Sequence, residues 1–465
     1  MIKDYFDIRR TANPAPNRRA PQPPDSRAPY GWKPLAVIAT AGFIDRFEHQ
    51  LLPGVLPFIQ DEWNLSDTTA GLFPLGGALA AVTLTPLAGY LTDRHRRTRI
   101  LTVIVLCWAV TTLASSLATG FGMFFAIRLL LASSEGFYGP LSGSLLADFY
   151  PPQSRAKVYG WRGLTPYLAG IGVVVGGVLA QHFGWRAAFV IAAIPGLLVA
   201  VLCMRLQEPA RGLLDRPPGA PPGPPAASGD EDDRAPEDRP EAAPEAAPSG
   251  KSGHPAFRRQ LREVLGTPTI ALLSAALATL AFGLSGISYW TPSLVHRDHG
   301  VAEGTAASVS GLVTVVGVVA GVIAGTWLGR RWNDRRGGGR LLAGGTGIVV
   351  GGVFLAAAIS MPAVWAFAVL LLLSKAAMAM AIPNLTASIA DVLHATSRGL
   401  GFAVLHVFGA FGVAFGPLVV GVISDATGSM VEAMYALTFP LLLGGLLTMA
   451  ARLTFERDRR SAHAA

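Results

Sequence analysis

The chain has 465 residues, 51% of them hydrophobic and only 15% charged, and a mean hydropathy of +0.43, which excludes an ordinary soluble enzyme and points to a polytopic membrane protein. The formal charge of +8 does not indicate nucleic acid as a partner, because the basic residues fall in short clusters between apolar runs, as in cytoplasmic loops. Cys107 and Cys203 both lie in apolar segments, which argues against a disulfide framework or a zinc site.

Residues 1–32 are polar and rich in Pro and Arg. They lack the apolar core of a signal peptide, so a disordered, unprocessed, cytoplasmic N-terminus is expected. Apolar runs of about 20 residues, enough to cross a ~30 Å hydrocarbon core, then recur along the chain. The predicted spans are 34–59, 69–92, 98–118, 121–149, 155–182, 185–206, 266–295, 304–329, 340–360, 363–392, 399–424 and 431–454. The expected fold is therefore an all-α membrane protein with twelve transmembrane helices. Arg94–Arg99, Arg330–Arg340 and Arg457, Arg459 and Arg460 mark one side, whereas the alternate loops at 60–67, 119–122 and 360–362 have no Lys or Arg. The positive-inside rule then places both termini in the cytoplasm.

Six predicted spans, in a unit 33–206, precede a break at 207–258; six more, in a unit 259–455, follow it, and 456–465 form a tail. The break contains "PPGAPPGPPAASGDEDDRAPEDRPEAAPEAAP", which has too little apolar surface to order itself and reads as a disordered tether. The halves repeat each other: Pro140, Asp148 and Arg155 recur as Pro383, Asp391 and Arg398 at a constant offset of 243. In each copy a Pro lies inside a span, an Asp at its end and an Arg at the start of the next, a doubled pattern that suggests a gate.

Between the second and third spans runs "GYLTDRHRRTRIL", with Gly89, Asp93, Arg94 and Arg97. Gly89 permits close helix approach, Asp93 caps or pairs with a neighbouring helix, and the arginines hold the cytoplasmic face. This loop resembles the G-x-L-x-D-R-x-x-R pattern of the major facilitator superfamily. That resemblance implies two pseudo-symmetric six-helix bundles that alternately open a central cavity to either side. In the second copy, "GTWLGRRWNDRR" at 325–336, Gly329 stands where the Asp would be.

A narrower resemblance, to the Spinster-type branch, rests on Asp45-Arg46, "NLSD" at 64–67, "GYLTDR", the region around Glu135, "GWR" at 184–186, "EPARG" at 208–212 and "YWTPSLVHRDHG" at 289–300. It departs from the branch at Glu135-Gly136, where Glu-Ala is expected.

The first span carries the most unusual stretch, "GFIDRFEHQL" at 42–51. Counted from Lys33, Asp45 is roughly 18 Å deep at 1.5 Å per residue, near the bilayer centre, and Arg46, Glu48 and His49 lie within a further turn. In the fourth span Arg128 is about 10 Å and Glu135 about 21 Å from the outer end. A central charge costs roughly 2.5–3.5 kcal/mol on insertion scales, so such a band requires a wet cavity or mutual pairing. Asp45 and Glu135 are the candidates for taking and releasing a proton as their exposure changes. Arg46 and Arg128 would modulate them or hold an anionic substrate group, and His49 is a further proton-coupling candidate or a structural hydrogen-bond partner. The Spinster resemblance implies the first-helix Asp-Arg and fourth-helix Glu as the ionisable centre. Self-neutralising pairs that only hold helices together are the structural alternative.

In the second half, Lys375 lies too deep to snorkel easily and is a candidate for pairing with Glu135 or for binding an anionic group. Arg162 and His406 are weaker substrate-binding candidates. Gly172/Gly176 and Gly412/Gly416 read as close helix contacts.

No G-x-x-x-x-G-K-S/T loop occurs, so the reading is a secondary transporter driven by an ion gradient, with protons the coupling ion, and not an enzyme. It is expected to be a monomer in the plasma membrane, with membrane lipids as neighbours and no cofactor, metal or nucleic-acid partner. The Spinster resemblance implies an amphipathic cargo such as a lysophospholipid or sphingoid phosphate. The alternatives are a carrier of small organic anions or drugs and, from another class, a non-transporting sensor or scaffold.

Overall fold

The computed structural model describes residues 30–163, 165–168, 170–209, 214, 257–334, 337–393 and 397–464. The predicted N-terminal segment up to residue 29 and most of the predicted linker lie outside these residues. Among the described residues every regular element is a helix.

The first half comprises α1 (Lys33–Trp63), α2 (Asp67–Arg94), α3 (Arg97–Ser115), α4 (Phe121–Phe149), α5 (Pro152–Arg162), a 3-10 turn (Thr165–Leu168), α6 (Ile171–Phe183) and α7 (Trp185–Met204). The second comprises α8 (Phe257–Gly266), α9 (Pro268–His299), α10 (Glu303–Asn333), α11 (Gly339–Ile359), α12 (Val364–Ala379), α13 (Ala381–Val392), α14 (Arg398–Thr427), α15 (Met430–Tyr435), α16 (Thr438–Ala450) and α17 (Arg452–Ala464). Local chemistry sets several ends: Asn64 closes α1 in the left-handed conformation, and Ser66 Oγ accepts the Thr69 N–H to start α2.

Among the described residues, eight helical stretches have the length and apolarity of a membrane span. α1 and α4 are long enough to cross but less apolar, because α1 carries Asp45, Arg46 and Glu48 and α4 carries Arg128, Glu135 and Asp148. Three predicted spans prove to be composite. The run 155–182 is split into α5, the 3-10 turn and α6, around Gly163, Pro166 and Gly170 in the sequence, where an absent N–H and low helix propensity coincide. The run 363–392 divides at Met380, three residues before Pro383, whereas Pro140 sits inside an uninterrupted α4. The last run divides between α15 and α16.

Packing repeats between the halves. α2 packs on α4 as α10 packs on α12, α3 on α7 as α11 on α16, and α1 on α6 as α9 on α14. The predicted glycine contacts fall on these pairs. Gly172 and Gly176 leave room for the carbonyls of Phe47 and Leu51 on α1, and Gly412 and Gly416 do so for those of Ala278 and Phe282 on α9.

Two seams join the halves, α2 with α14 and α6 with α10. At the second, a Cβ on Gly177 would stand 2.1 Å from that of Ala307, and one on Gly311 would stand 2.5 Å from the carbonyl oxygen of Gly170. The two backbones therefore touch directly.

Candidate functional site

α1 carries its four ionisable residues on two faces. Asp45 and Glu48 are buried, 3% and 1% exposed. The Arg46 and His49 side chains, 46% and 48% exposed, stand on the stripe that also includes Thr40, Phe43 and Gln50.

Arg46 Nε forms an ion pair with Asp45 Oδ2 at 3.1 Å, while Asp45 Oδ1 has no hydrogen-bond partner. His49 Nδ1 lies 3.7 Å from Glu135 Oε2 on α4, an electrostatic approach longer than a hydrogen bond. Asp45, Arg46, His49 and Glu135 thus form one cluster across α1 and α4.

Glu48 and Arg128 belong to a second, fully enclosed group. Glu48 Oε2 accepts from Thr112 Oγ1 on α3 at 2.9 Å; Oε1 has no partner and faces Gly196 on α7. Arg128 donates from Nη2 to Ser115 Oγ at 3.0 Å. Its guanidinium lies 4.7 Å from the Phe189 ring centroid and 5.3 Å from that of Phe124, within cation–π range. The band expected from helical depth therefore divides: Arg46 and His49 are half exposed beside Asp45 and Glu135, whereas Glu48 is enclosed inside the first half together with Arg128.

Arg162 reaches the band from α5, donating to the Gly139 carbonyl at 3.4 Å with its guanidinium 5.7 Å from the Tyr138 ring. Lys375 does not meet Glu135. Its Nζ donates to Ser288 Oγ at 2.9 Å and Thr314 Oγ1 at 2.8 Å, so α9, α10 and α12 enclose it in hydroxyls. His406 is exposed on α14.

At the end bearing the basic loops, Arg97 starts α3 and pairs with Asp148 of α4. It also donates to Ser144 Oγ at 2.8 Å and, from Nε, to Glu208 Oε1 at 3.1 Å. Glu208 Oε2 accepts the Thr98 N–H and hydroxyl, both at 2.8 Å, capping α3. Partial burial opposes ionisation, but those bonds and Arg97 hold the Glu208 carboxyl below its ordinary range.

In the second half Arg340 Nη1 donates to Asp391 at 2.9 Å. The offset of 243 that separates Asp148 from Asp391 also separates Arg97 from Arg340, so a complete ion pair is duplicated. Arg155 donates to the carbonyls of Ala147 and Tyr150 at the end of α4. Arg94 is exposed. Gly89 and Asp93 lie in α2 and Arg398 opens α14, and the side chains of Asp93 and Arg398 fall outside the described residues. A Cβ on Gly329, in the place of the second Asp, would collide with Asn384 Oδ1.

The opposite end holds a group that sequence reasoning missed. Arg297 of α9 bonds both Asp67 oxygens and Gln60 Oε1 at 3.2 Å. Asp425 Oδ1 and Oδ2 accept the Asp67 and Thr68 N–H groups at 3.0 and 2.8 Å, and Tyr289 Oη donates to the Ala70 carbonyl at 2.7 Å. Among the described residues, these polar contacts between the halves all lie at this end. "NLSD" and "YWTPSLVHRDHG" contain Asp67 and Arg297, but at helix ends such charges look merely solvated.

The chain matches the Major Facilitator Superfamily over residues 38–338 and 329–465. It is 24% identical to protein spinster homolog 1 of Xenopus laevis over 92% of this chain and 81% of that protein. It is 30% identical to the hexuronate transporter of Bacillus subtilis (strain 168), over 38% of this chain and 43% of that protein. Among solved structures, a bacterial homologue of the human lysosomal transporter Spinster, in an inward-facing and unoccupied conformation, superposes with a TM-score of 0.70 at 23% identity, covering 93% of this chain and 98% of that one. The chain belongs to the Major Facilitator Superfamily. It is a multi-pass membrane transporter, not an enzyme.

Proposed function

From that membership, we propose that the chain is a proton-coupled secondary transporter whose cargo is a single-chain amphipath with an anionic head group. The observation that carries the coupling is the cluster at mid-membrane. Asp45 is buried with one oxygen unpartnered and the other held by Arg46, while Arg46 and His49 beside it are half exposed. A carboxylate so placed exchanges a proton when water reaches it and holds it when the helices close. Glu135 and His49 supply a second proton position, and Glu48 with Arg128 sets the field behind them.

Alternating access follows from the two seams. The polar contacts between the halves at the Asp67 end describe a form closed on that side, and the positive-inside rule makes the other side the cytoplasm, with both termini there. The 33–206 and 259–455 units are then the rocking bundles, joined by the 207–258 linker. The duplicated Arg97–Asp148 and Arg340–Asp391 pairs brace the cytoplasmic ends, with Gly89, Asp93, Arg94, Arg155 and Arg398 in the same gate.

Lys375, enclosed by hydroxyls with no carboxylate partner described, suits a phosphate or carboxylate head group. Arg162 and His406 are the remaining candidates for its path. A second reading, transport of a small organic anion, draws on the same lysine and on the similarity to the hexuronate transporter.

The deciding experiment is a thermal-shift panel on purified protein with lysophospholipids, sphingoid phosphates, hexuronates and other carboxylates. A ligand at about a hundred times its Kd stabilises by roughly 2.7 kcal/mol. Stabilisation confined to single-chain phosphorylated lipids is expected; a response to small anions alone would replace the first reading with the second.

A further inference from the structure

Beside the Arg297–Asp67 pair lies a set of ionisable side chains that the transport reading does not use. Asp61 near the end of α1, His296 near the end of α9 and Glu303 at the start of α10 each offer one ligand atom, all within 4.8 Å of one another. Asp61 belongs to the first half and the other two to the second.

The histidine is already oriented. Its Nδ1 lies 2.7 Å from the Val301 carbonyl oxygen. A carbonyl can only accept, so Nδ1 carries the proton and Nε2 presents its lone pair. Tying the far ring nitrogen to a carbonyl is how metal-binding histidines fix their tautomer and direction. Nε2 is 3.7 Å from Glu303 Oε1, too far for a hydrogen bond. That spacing subtends about 125° at an ion held ~2.0–2.2 Å from each atom, near a tetrahedral angle. Asp61 is exposed and free to close the remaining distance, while the neighbouring cation, Arg297, is committed to Asp67 and Gln60.

We propose that Asp61, His296 and Glu303 bind a divalent transition-metal ion, Zn²⁺ foremost, which bridges the two halves. One imidazole with two carboxylates suits Zn²⁺ better than Ca²⁺ or Mg²⁺, which favour all-oxygen shells. Water completes the coordination. The ion meets all three ligands only while this end is closed, so binding stabilises that conformation, and opening expels the ion.

The test uses the purified full chain, stripped with chelator and titrated with ZnCl₂. Binding is followed by calorimetry and by Tm, and closure by the distance between spin labels at Thr119→Cys and Pro362→Cys in the outer loops. One equivalent of Zn²⁺, a saturable rise in Tm and a narrowing to the closed distance are expected. Asp61→Asn, Glu303→Gln and His296→Ala should each weaken binding by roughly tenfold or more. Asp61→Asn and Glu303→Gln keep the side-chain shape, and each variant's metal-free Tm reports its fold. No saturable response, an unchanged response in Asp61→Asn or His296→Ala, or an equal response to Ca²⁺ would overturn the site. None of these readouts needs a substrate, so their failure is separate from failure of the transport reading.

Discussion

Arg297 holds Asp67 across the seam with two parallel bonds, Nη1 to Oδ2 at 2.8 Å and Nη2 to Oδ1 at 2.9 Å. The guanidinium fork matches the carboxylate only when the halves are closed here. The Arg297 side chain is 40% exposed, so screening reduces its contribution. Asp67→Asn should still remove about 1–2 kcal/mol from closure, a shift of roughly five- to thirtyfold in population. Distances between spin labels at Thr119→Cys and Pro362→Cys should lengthen; an unchanged distribution would mean the pair is dispensable.

Neutral replacements at the Asp45 cluster separate coupling from folding. Asp45→Asn and Glu135→Gln keep the side-chain volume but cannot release a proton, so reconstituted protein should lose gradient-driven accumulation. Exchange of substrate for substrate should survive, because no net proton movement is then required. Full accumulation in both variants would exclude these carboxylates from coupling.

Lys375→Met should change two properties in opposite directions. A buried ammonium satisfied by two hydroxyls still carries a desolvation penalty, and an apolar residue of similar volume often relieves about 1–4 kcal/mol of it. Without ligand the Tm should rise, while stabilisation by anionic ligands should disappear. Retained ligand response would move the head-group site elsewhere.

Gly177→Val tests the backbone seam. Its branched side chain would occupy the space of the Ala307 methyl group, 2.1 Å from the new Cβ, and overpacking of this kind costs about 1–3 kcal/mol. The closed form at the Asp67 end should lose population in the same spin-label experiment, with an overall Tm change smaller than that of a disrupted core.

Glu208 gives a pH-dependent contribution of known sign. Its carboxyl titrates below the ordinary glutamate range in the folded chain, so its stabilisation is fully present above the unfolded value of about 4.3 and is lost as pH falls through the depressed folded value. Glu208→Gln should lower Tm at pH 7, by the equivalent of about 1 kcal/mol for a weakened helix cap. The gap to wild type should close below pH 4; a gap constant with pH would assign the effect to packing.

Sequence and structure agree where a signal is local or repeated. The glycine contacts at Gly172/Gly176 and Gly412/Gly416 follow from spacing alone, and the 243-residue repeat led to Asp148 and Asp391. It did not give their partners, Arg97 and Arg340, because a basic loop residue and a gate residue look alike until the helices are packed. Depth along a helix placed Asp45, Glu48 and Glu135 at similar levels but could not say which faced inward. Rotation about the helix axis separates Glu48 from the other two. The Asp67–Arg297 pair spans 230 residues, and neither residue sits at a depth where charge is costly, so nothing in the one-dimensional pattern marked it.

The direct backbone contact between α6 and α10 bears on how such a chain can diversify. A joint made of glycines and carbonyls depends on side chains that are absent, so substitutions on the Thr40–Phe43–Arg46 stripe leave its fit untouched. Cargo preference can therefore drift over evolutionary time while the mechanics of rocking are inherited unchanged.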